Sequence, residues 1–285
     1  MRSTHWDGRL LAGMVITGLI VVVAASEPWL APFWSGAAGP TAVGIFASWS
    51  HPQWAHPLGT NQFGQDILAL TLLGLRNSLV VGLQAGILGT FIGICVGFTS
   101  GYFGGTVVDE ALRTVTDAWL VIPSFPLIAV LAAFVRNLSV TELAIILGIF
   151  SWAGAARAIR AQVLMLRSMA YVDMARLSGA GHIAVIGQEL LPNMYPYLGV
   201  GLASSIMGAI GSLVGLSIIG LGQNAFSLGT LIQYGLSEGV LSIGFSQIIV
   251  VPVLILIALF VGLNLINVGL DVQFNPRLKG SKSRG

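Results

Sequence analysis

The residues with chemical potential in this sequence are few. Gly235-Leu236-Ser237-Glu238-Gly239 matches the Gly-x-Ser-x-Gly elbow that exposes a hydrolase nucleophile, with His51 or His56 as the partner base. That elbow needs a strand entering it and a helix leaving it within an α/β sheet, and no strand-rich soluble segment exists here, so no catalytic residue is assigned. His51 and His56, five apart, would be a metal pair only with fixed geometry, and read as polar loop; no metal ligand is assigned. The single cysteine, Cys95, lies between Ile94 and Val96, which excludes an internal disulfide and a Cys-rich metal site. No Gly-x-x-x-x-Gly-Lys-Ser/Thr loop is present to cradle nucleotide phosphates. Glu142, Glu189 and Glu238 lie near the ends of apolar segments and Asp117 further in, and together they form no buried acidic chain of the kind a proton-driven carrier needs. Asp117 follows Arg113 by four residues, the spacing of a helical ion pair.

The elements that must hold these residues are membrane helices. Hydrophobic residues are 55% of the 285 positions and charged residues 8%, against roughly 25% charged in a soluble domain. A net charge of +2 gives no case for nucleic acid as a partner. Because a bilayer core needs about 20 apolar residues per helix, the charge-free windows predict six spans. These are Leu10–Ser26, Asn77–Ser100, Val108–Val135, a short Leu143–Ala156, and two within Leu190–Ser237 and Gly239–Leu270. Gly220, Gly222, Asn224, Ser227 and Gly229 break the second half of Leu190–Ser237, which reads as a loop or re-entrant segment. With the N-terminus inside, Arg2, Arg9, Arg113, Arg157, Arg160, Arg167, Arg176, Arg277, Lys279, Lys282 and Arg284 face the cytoplasm, and only Arg76 and Arg136 lie outside. Both termini are therefore expected to be cytoplasmic. The expected organisation is a leading segment with the first span (1–31), an external loop (32–76), a membrane core (77–274) containing a cytoplasmic loop (158–192), and a tail (275–285). A cleaved signal peptide is the competing reading of the first span, but its 17 uncharged residues exceed the usual signal core of about 7–15.

The cytoplasmic loop reads as two helices. Ala158 to Ser178 lacks Gly and Pro, Gly179-Ala180-Gly181 breaks it, and Pro192 is expected to close the second helix. Thirty-odd ordered residues exceed what a connector needs, so a partner that pushes on them is the natural inference, an interfacial hairpin on lipid headgroups being the alternative. In the second span, Gly82, Gly86, Gly89, Gly93, Gly97 and Gly101 form one helical stripe. Such a stripe suits close helix packing within the chain or against a sister subunit. In the fifth span a looser small-residue face, with Ser204, Ser205, Gly208 and Ser212, suits the lining of a solute path.

These motifs resemble those of the integral membrane components of binding-protein-dependent ABC importers. The family's loop signature is Glu-Ala-Ala, three residues, Gly, nine residues, Ile, one residue, Leu-Pro. Here Asp173-Met174-Ala175, Gly179, Glu189 and Leu191-Pro192 fall at matching spacing, with Asp for Glu, Met for the first Ala and Glu for Ile. His56-Pro57-Leu58-Gly59-Thr60-Asn61, with Gly64 and Asp66, resembles a segment of the dipeptide, oligopeptide, glutathione and nickel permease branch, in its C-type subunit. So do Gly101-Tyr102-Phe103-Gly104-Gly105, Ile122-Pro123, Leu216-Ser217-Ile218-Ile219-Gly220-Leu221-Gly222, Ser227-Leu228-Gly229 and Asn275-Pro276-Arg277-Leu278. The resemblance implies an all-α type I ABC importer fold and a multi-pass protein of a bacterial or archaeal cytoplasmic membrane. It also implies a sister permease, two cytoplasmic ATPases that hold the ATP and Mg, and an extracytoplasmic binding protein. This chain would be non-catalytic and hold no cofactor. Its ATPase-coupling residues would be Asp173, Ala175, Arg176, Gly179, Ala180, Gly181, His182, Leu191 and Pro192. Peptides are the expected solute, with nickel, metallophores or glutathione as alternatives. An ion-coupled secondary transporter is the rival of a different class, and would show an inverted repeat and charges at mid-membrane.

Overall fold

The computed structural model describes residues 7–135, 138–222, 224 and 226–274. Among these the chain is helical, with only two isolated β-bridges in the loop before the longest helix. In chain order the helices are α1 (Gly8–Ala25), α2 (Glu27–Ser35), α3 (Ile67–Tyr102), α4 (Val107–Val121), α5 (Ser124–Phe134), α6 (Val140–Arg167) and α7 (Ala170–Leu177). There follow α8 (His182–Ala184), which runs through a π-helical turn (Val185–Leu190) into α9 (Leu191–Ile218), and then α10 (Leu228–Ser237) and α11 (Gln247–Phe274). Among the described residues, five helices are long and apolar enough to cross a membrane: α1, α3, α6, the continuous His182–Ile218 path and α11. The α4–α5 pair makes a sixth crossing if its bend lies within the bilayer.

Three boundaries differ from the sequence expectation. The second span begins at Ile67, ten residues before Asn77, because the Asp66 carboxylate caps the helix: its Oδ1 accepts the Ala69 amide at 2.8 Å. Arg76 is therefore inside α3, where it reaches Glu27 at 3.1 Å. The third span is two helices bent by 71° at Ile122-Pro123, since a residue before proline is pushed out of helical geometry. The fourth span is not short: α6 runs from a Ser139–Glu142 capping box to Arg167, taking in residues assigned to the following loop.

Pro192 also needs correction, because it does not end a helix. It occupies the first turn of α9, where a missing amide donor is tolerated, and the π turn before it, with its wider bonding, carries the chain from α8 into α9. The broken half of Leu190–Ser237 contains the ten-residue α10, too short to cross a bilayer. Arg2, Arg136 and the tail with Asn275, Pro276, Arg277, Leu278, Lys279, Lys282 and Arg284 lie outside the described residues.

α3 is the axis of the bundle. Its first half runs antiparallel to α9 and its second half parallel to α6, while α1 and α11 pack antiparallel at one side, Gly13 meeting Gly262 and Ile266, and Gly269 meeting Leu10. Among the described residues, the three larger apolar clusters of the bundle lie as follows. One sits among α3, α5, α6 and α9, one among α1, α3, α9, α10 and α11, and one where α3 and α6 meet α7 and the π turn. At the opposite end, the segment before α3 folds back on itself through bonds such as Gly44 N–H to Phe63 O (2.7 Å) and Trp49 N–H to Asn61 O (3.1 Å). Trp49 and Leu58 then seat it on Val240, Phe245 and Ile248.

Candidate functional site

The hairpin between α6 and α9 is built from one short amphipathic helix and a glycine turn. α7 buries Val172 completely against a cluster of Phe98, Tyr102, Ile159, Val163, Val185, Leu190 and Met194. Its opposite face carries Met174 and Leu177, and Ile183 follows on α8; Leu177 and Ile183 are 86% and 88% exposed, large apolar side chains held clear of the protein. α7 ends in a Schellman motif: the Gly179 amide donates to Arg176 O at 3.0 Å and the Ala180 amide to Ala175 O at 3.1 Å. Gly179 sits at φ +84°, where a side chain would be strained, with open space around its Cα. Gly181 precedes α8 in extended geometry, and Leu191 and Pro192 begin α9.

Polar contacts fasten this hairpin to the end of α3. Tyr102 Oη lies 2.7 Å from His182 Nδ1, and the Arg176 guanidinium rests over the Tyr102 ring at 5.4 Å. Arg167, the last residue of α6, donates to Tyr102 O (2.5 Å) and Gly104 O (3.1 Å). Two turns deeper, Arg160 grips Asp109 with two bonds (2.6 and 2.8 Å), and Ser100 Oγ and the Gly105 amide complete the carboxylate's partners. Burial, with the charge of Glu189 second, pushes the Tyr171 phenol on α7 up from its ordinary range. Asp173 lies in the first turn of α7, where a carboxylate complements the helix dipole. The hairpin therefore carries an apolar tip and is held at its base against the ends of α3 and α6.

Ser204, Ser205, Gly208 and Ser212 all line one groove of about 470 Å3 between α5, α6 and α9, joined there by Ser151, Gly154 and Tyr197. Ser204 Oγ accepts the Asn267 amide at 3.0 Å, which ties this face to α11. The glycine stripe of α3 divides between two partners. Gly82 and Gly86 face Ile210 and Ile206 of α9, whereas Gly89, Gly93, Gly97 and Gly101 face Ser151, Ala155, Ala156 and Val163 of α6. A Cβ on Gly93 would come within 2.7 Å of Ala155 Cβ, and one on Gly97 within 2.6 Å of Ala156 O.

Other sequence candidates are used differently. Asp117 pairs not with Arg113 but with Arg157, at 2.6 Å across the α4–α6 interface. His56 is 2.8 Å from the buried Asp66 carboxylate, and His51 stacks on Phe245, so each imidazole has a structural contact. Ser237 ends α10 and accepts a bond from Gln233, with no strand before it. The Asp109–Arg160 clamp was the feature sequence reasoning missed. Its signal was an acidic residue in the first turn after the Gly101–Gly105 break, facing an arginine already singled out, but only the fold brings 109 to 160.

The family model described as "Binding-protein-dependent transport system inner membrane component" matches residues 89–280. The oligopeptide transport system permease protein of Mycobacterium tuberculosis (strain ATCC 25618 / H37Rv) is 35% identical over 228 residues, 79% of this chain and 77% of that protein. The dipeptide transport system permease protein of Haemophilus influenzae is 28% identical over 276 residues, 94% and 90% of the two chains. The nickel transport system permease protein of Escherichia coli (strain K12) is 29% identical over 223 residues, 78% and 77%. A chain from the inward-facing MetNI methionine ABC transporter superposes with a TM-score of 0.51 at 20% identity, over 71% of this chain and 97% of that one, a likeness of fold.

Proposed function

The chain belongs to the family of binding-protein-dependent transport system inner membrane components, and from that premise we propose that it is one of two homologous permeases that together form a path for peptide uptake across a bacterial or archaeal cytoplasmic membrane. Two cytoplasmic ATPases, carrying the ATP and Mg, drive the path, and an extracytoplasmic binding protein feeds it. This chain supplies no catalytic group or cofactor.

The observation that carries the reading is the hairpin with its exposed Met174, Leu177 and Ile183. Large apolar side chains held out on a short rigid helix are suited to a groove on a partner protein. The lysine and arginine count supports an orientation with this hairpin and both termini in the cytoplasm. Closure of the ATPases on ATP pushes α7. The Tyr102–His182 contact and the Arg167 bonds pass that displacement to α3 and α6, and the α5–α6–α9 groove opens outward to receive solute from the binding protein. ATP hydrolysis resets the inward state. Hydroxyls of Ser204, Ser205 and Ser212 in that groove suit the hydrogen-bonding groups of a peptide, and two relatives are named for peptides. Nickel is the alternative to a peptide cargo, because a relative of similar identity is named for it.

The test is a pair of substitutions at the hairpin turn. Gly179→Asn keeps a residue that tolerates positive φ, whereas Gly179→Trp adds bulk at the docking tip. In the assembled complex with solute-loaded binding protein, Gly179→Asn is expected to retain stimulated ATP hydrolysis. Gly179→Trp is expected to abolish it while inserting in the membrane normally. Full stimulation in Gly179→Trp rejects the assignment of this hairpin as the coupling element.

A further inference from the structure

On the side of α6 away from the serine-lined groove lies a second, basic pocket of about 250 Å3, bounded by α3, α4 and α6. Arg113, Arg157 and Arg160 line it together with Ser100, Thr116 and Asp117. Two of these cations are already matched: Arg160 by Asp109 and Arg157 by Asp117. Arg113, exposed on α4, makes no ion pair among the described residues, so the pocket keeps one uncompensated positive charge.

The setting of the pocket indicates what neutralises that charge. At 100° per residue, Ala156 and Arg160 stand roughly 120–160° around α6 from Gly154 and Ala158, which line the groove, and Arg157 lies between the two faces. The pocket therefore faces away from the groove. α4 continues past Arg113 with Leu120 and Val121, two turns on and within about 80° of it around the helix, both exposed, a surface that suits acyl chains. Arg160 lies two turns before the end of α6, about 10 Å along the axis, so long arginine side chains here reach headgroup depth. Basic pockets between membrane helices at this depth recruit anionic headgroups.

We propose that Arg113, with Arg157, binds the phosphate of an anionic phospholipid in this pocket, while Leu120 and Val121 of α4 hold its acyl chains. Phosphate oxygens accept from the two guanidinium groups, and Asp117 turns Arg157 toward the site.

The test uses the assembled permease in nanodiscs of phosphatidylcholine containing a minor fraction of phosphatidylglycerol, with lipids retained after gentle extraction read by native mass spectrometry. Wild type is expected to retain phosphatidylglycerol preferentially, and Arg113→Gln to lower that preference about fivefold, the effect of one basic residue near a charged surface. Arg9→Gln, at the far α1 terminus, serves as control and is expected to retain the wild-type preference. A second reading needs no variant: phosphatidylglycerol, but not inorganic phosphate, should protect Arg113 from arginine-directed modification. Equal retention of the two lipids by wild type, an unchanged preference in Arg113→Gln, or protection by inorganic phosphate alone would each overturn the lipid site.

Discussion

Substituting Gly97 by alanine tests whether the α3–α6 contact depends on the absence of a side chain. An added Cβ would stand 2.6 Å from the Ala156 carbonyl oxygen, 2.9 Å from Ile159 Cβ and 3.0 Å from Ile159 Cγ2. Carbon–oxygen contacts settle near ~3.3 Å at their closest, so α6 must retreat by about 0.7 Å, and because the obstructing oxygen is backbone, no rotamer change relieves it. Overpacking of this kind costs about 1–3 kcal/mol, and the helix-propensity gain of alanine over glycine offsets up to about 1 kcal/mol of it. Gly18→Ala isolates that gain, since Gly18 lies in the interior of α1 with nothing within 4 Å of its added Cβ. The difference between the two variants is therefore the overpacking alone. It amounts to about 2–4 °C of melting temperature per kcal/mol, followed by tryptophan fluorescence of the solubilised permease. If Gly97→Ala melts at or above Gly18→Ala, the stripe is not a close-packing surface and the reasoning fails.

Asp66→Ala removes the cap of α3 and the partner of His56 together. A loss of about 1–2 kcal/mol is expected, with faster protease cleavage within residues 36–66 while the rest of the chain stays intact. Asp109→Asn leaves Arg160 partly buried without its counterion and is expected to cost about 1–3 kcal/mol, the range for a hydrogen bond to a charged group, read as a lower melting temperature. Asp109→Asn/Arg160→Leu should recover part of that loss, and a double variant no more stable than the single one would show that the clamp is not a charge-pairing unit.

Much of the architecture was legible because membrane insertion imposes a simple rule: backbone groups in lipid must bond internally, so apolar length predicts helices. Glycine spacing was equally direct, since periodicity alone puts Gly82 through Gly101 on one face, although not which neighbour each would meet. Helix ends were less legible. Arg76 looked like a boundary, yet its pairing with Glu27 lets α3 carry it. Pro192 looked like a terminator, but a proline in a first turn costs little, and nothing in the local sequence announces the π turn that precedes it. The Asp117–Arg157 and Asp109–Arg160 pairs join α4 to α6 across 40 and 51 positions, so local spacing favoured the wrong arginine for Asp117.

A definite fate follows for the hairpin tip if it docks on an ATPase. With Cys95 replaced by serine, Ile183→Cys leaves a single thiol on the exposed face of α8. In the assembled complex in sealed cells, that thiol should resist a membrane-impermeant maleimide and, in inside-out vesicles, should cross-link to an ATPase subunit through a short bifunctional reagent. Labelling of the introduced thiol from outside intact cells, with no cross-link to the ATPase, would contradict the account at its centre.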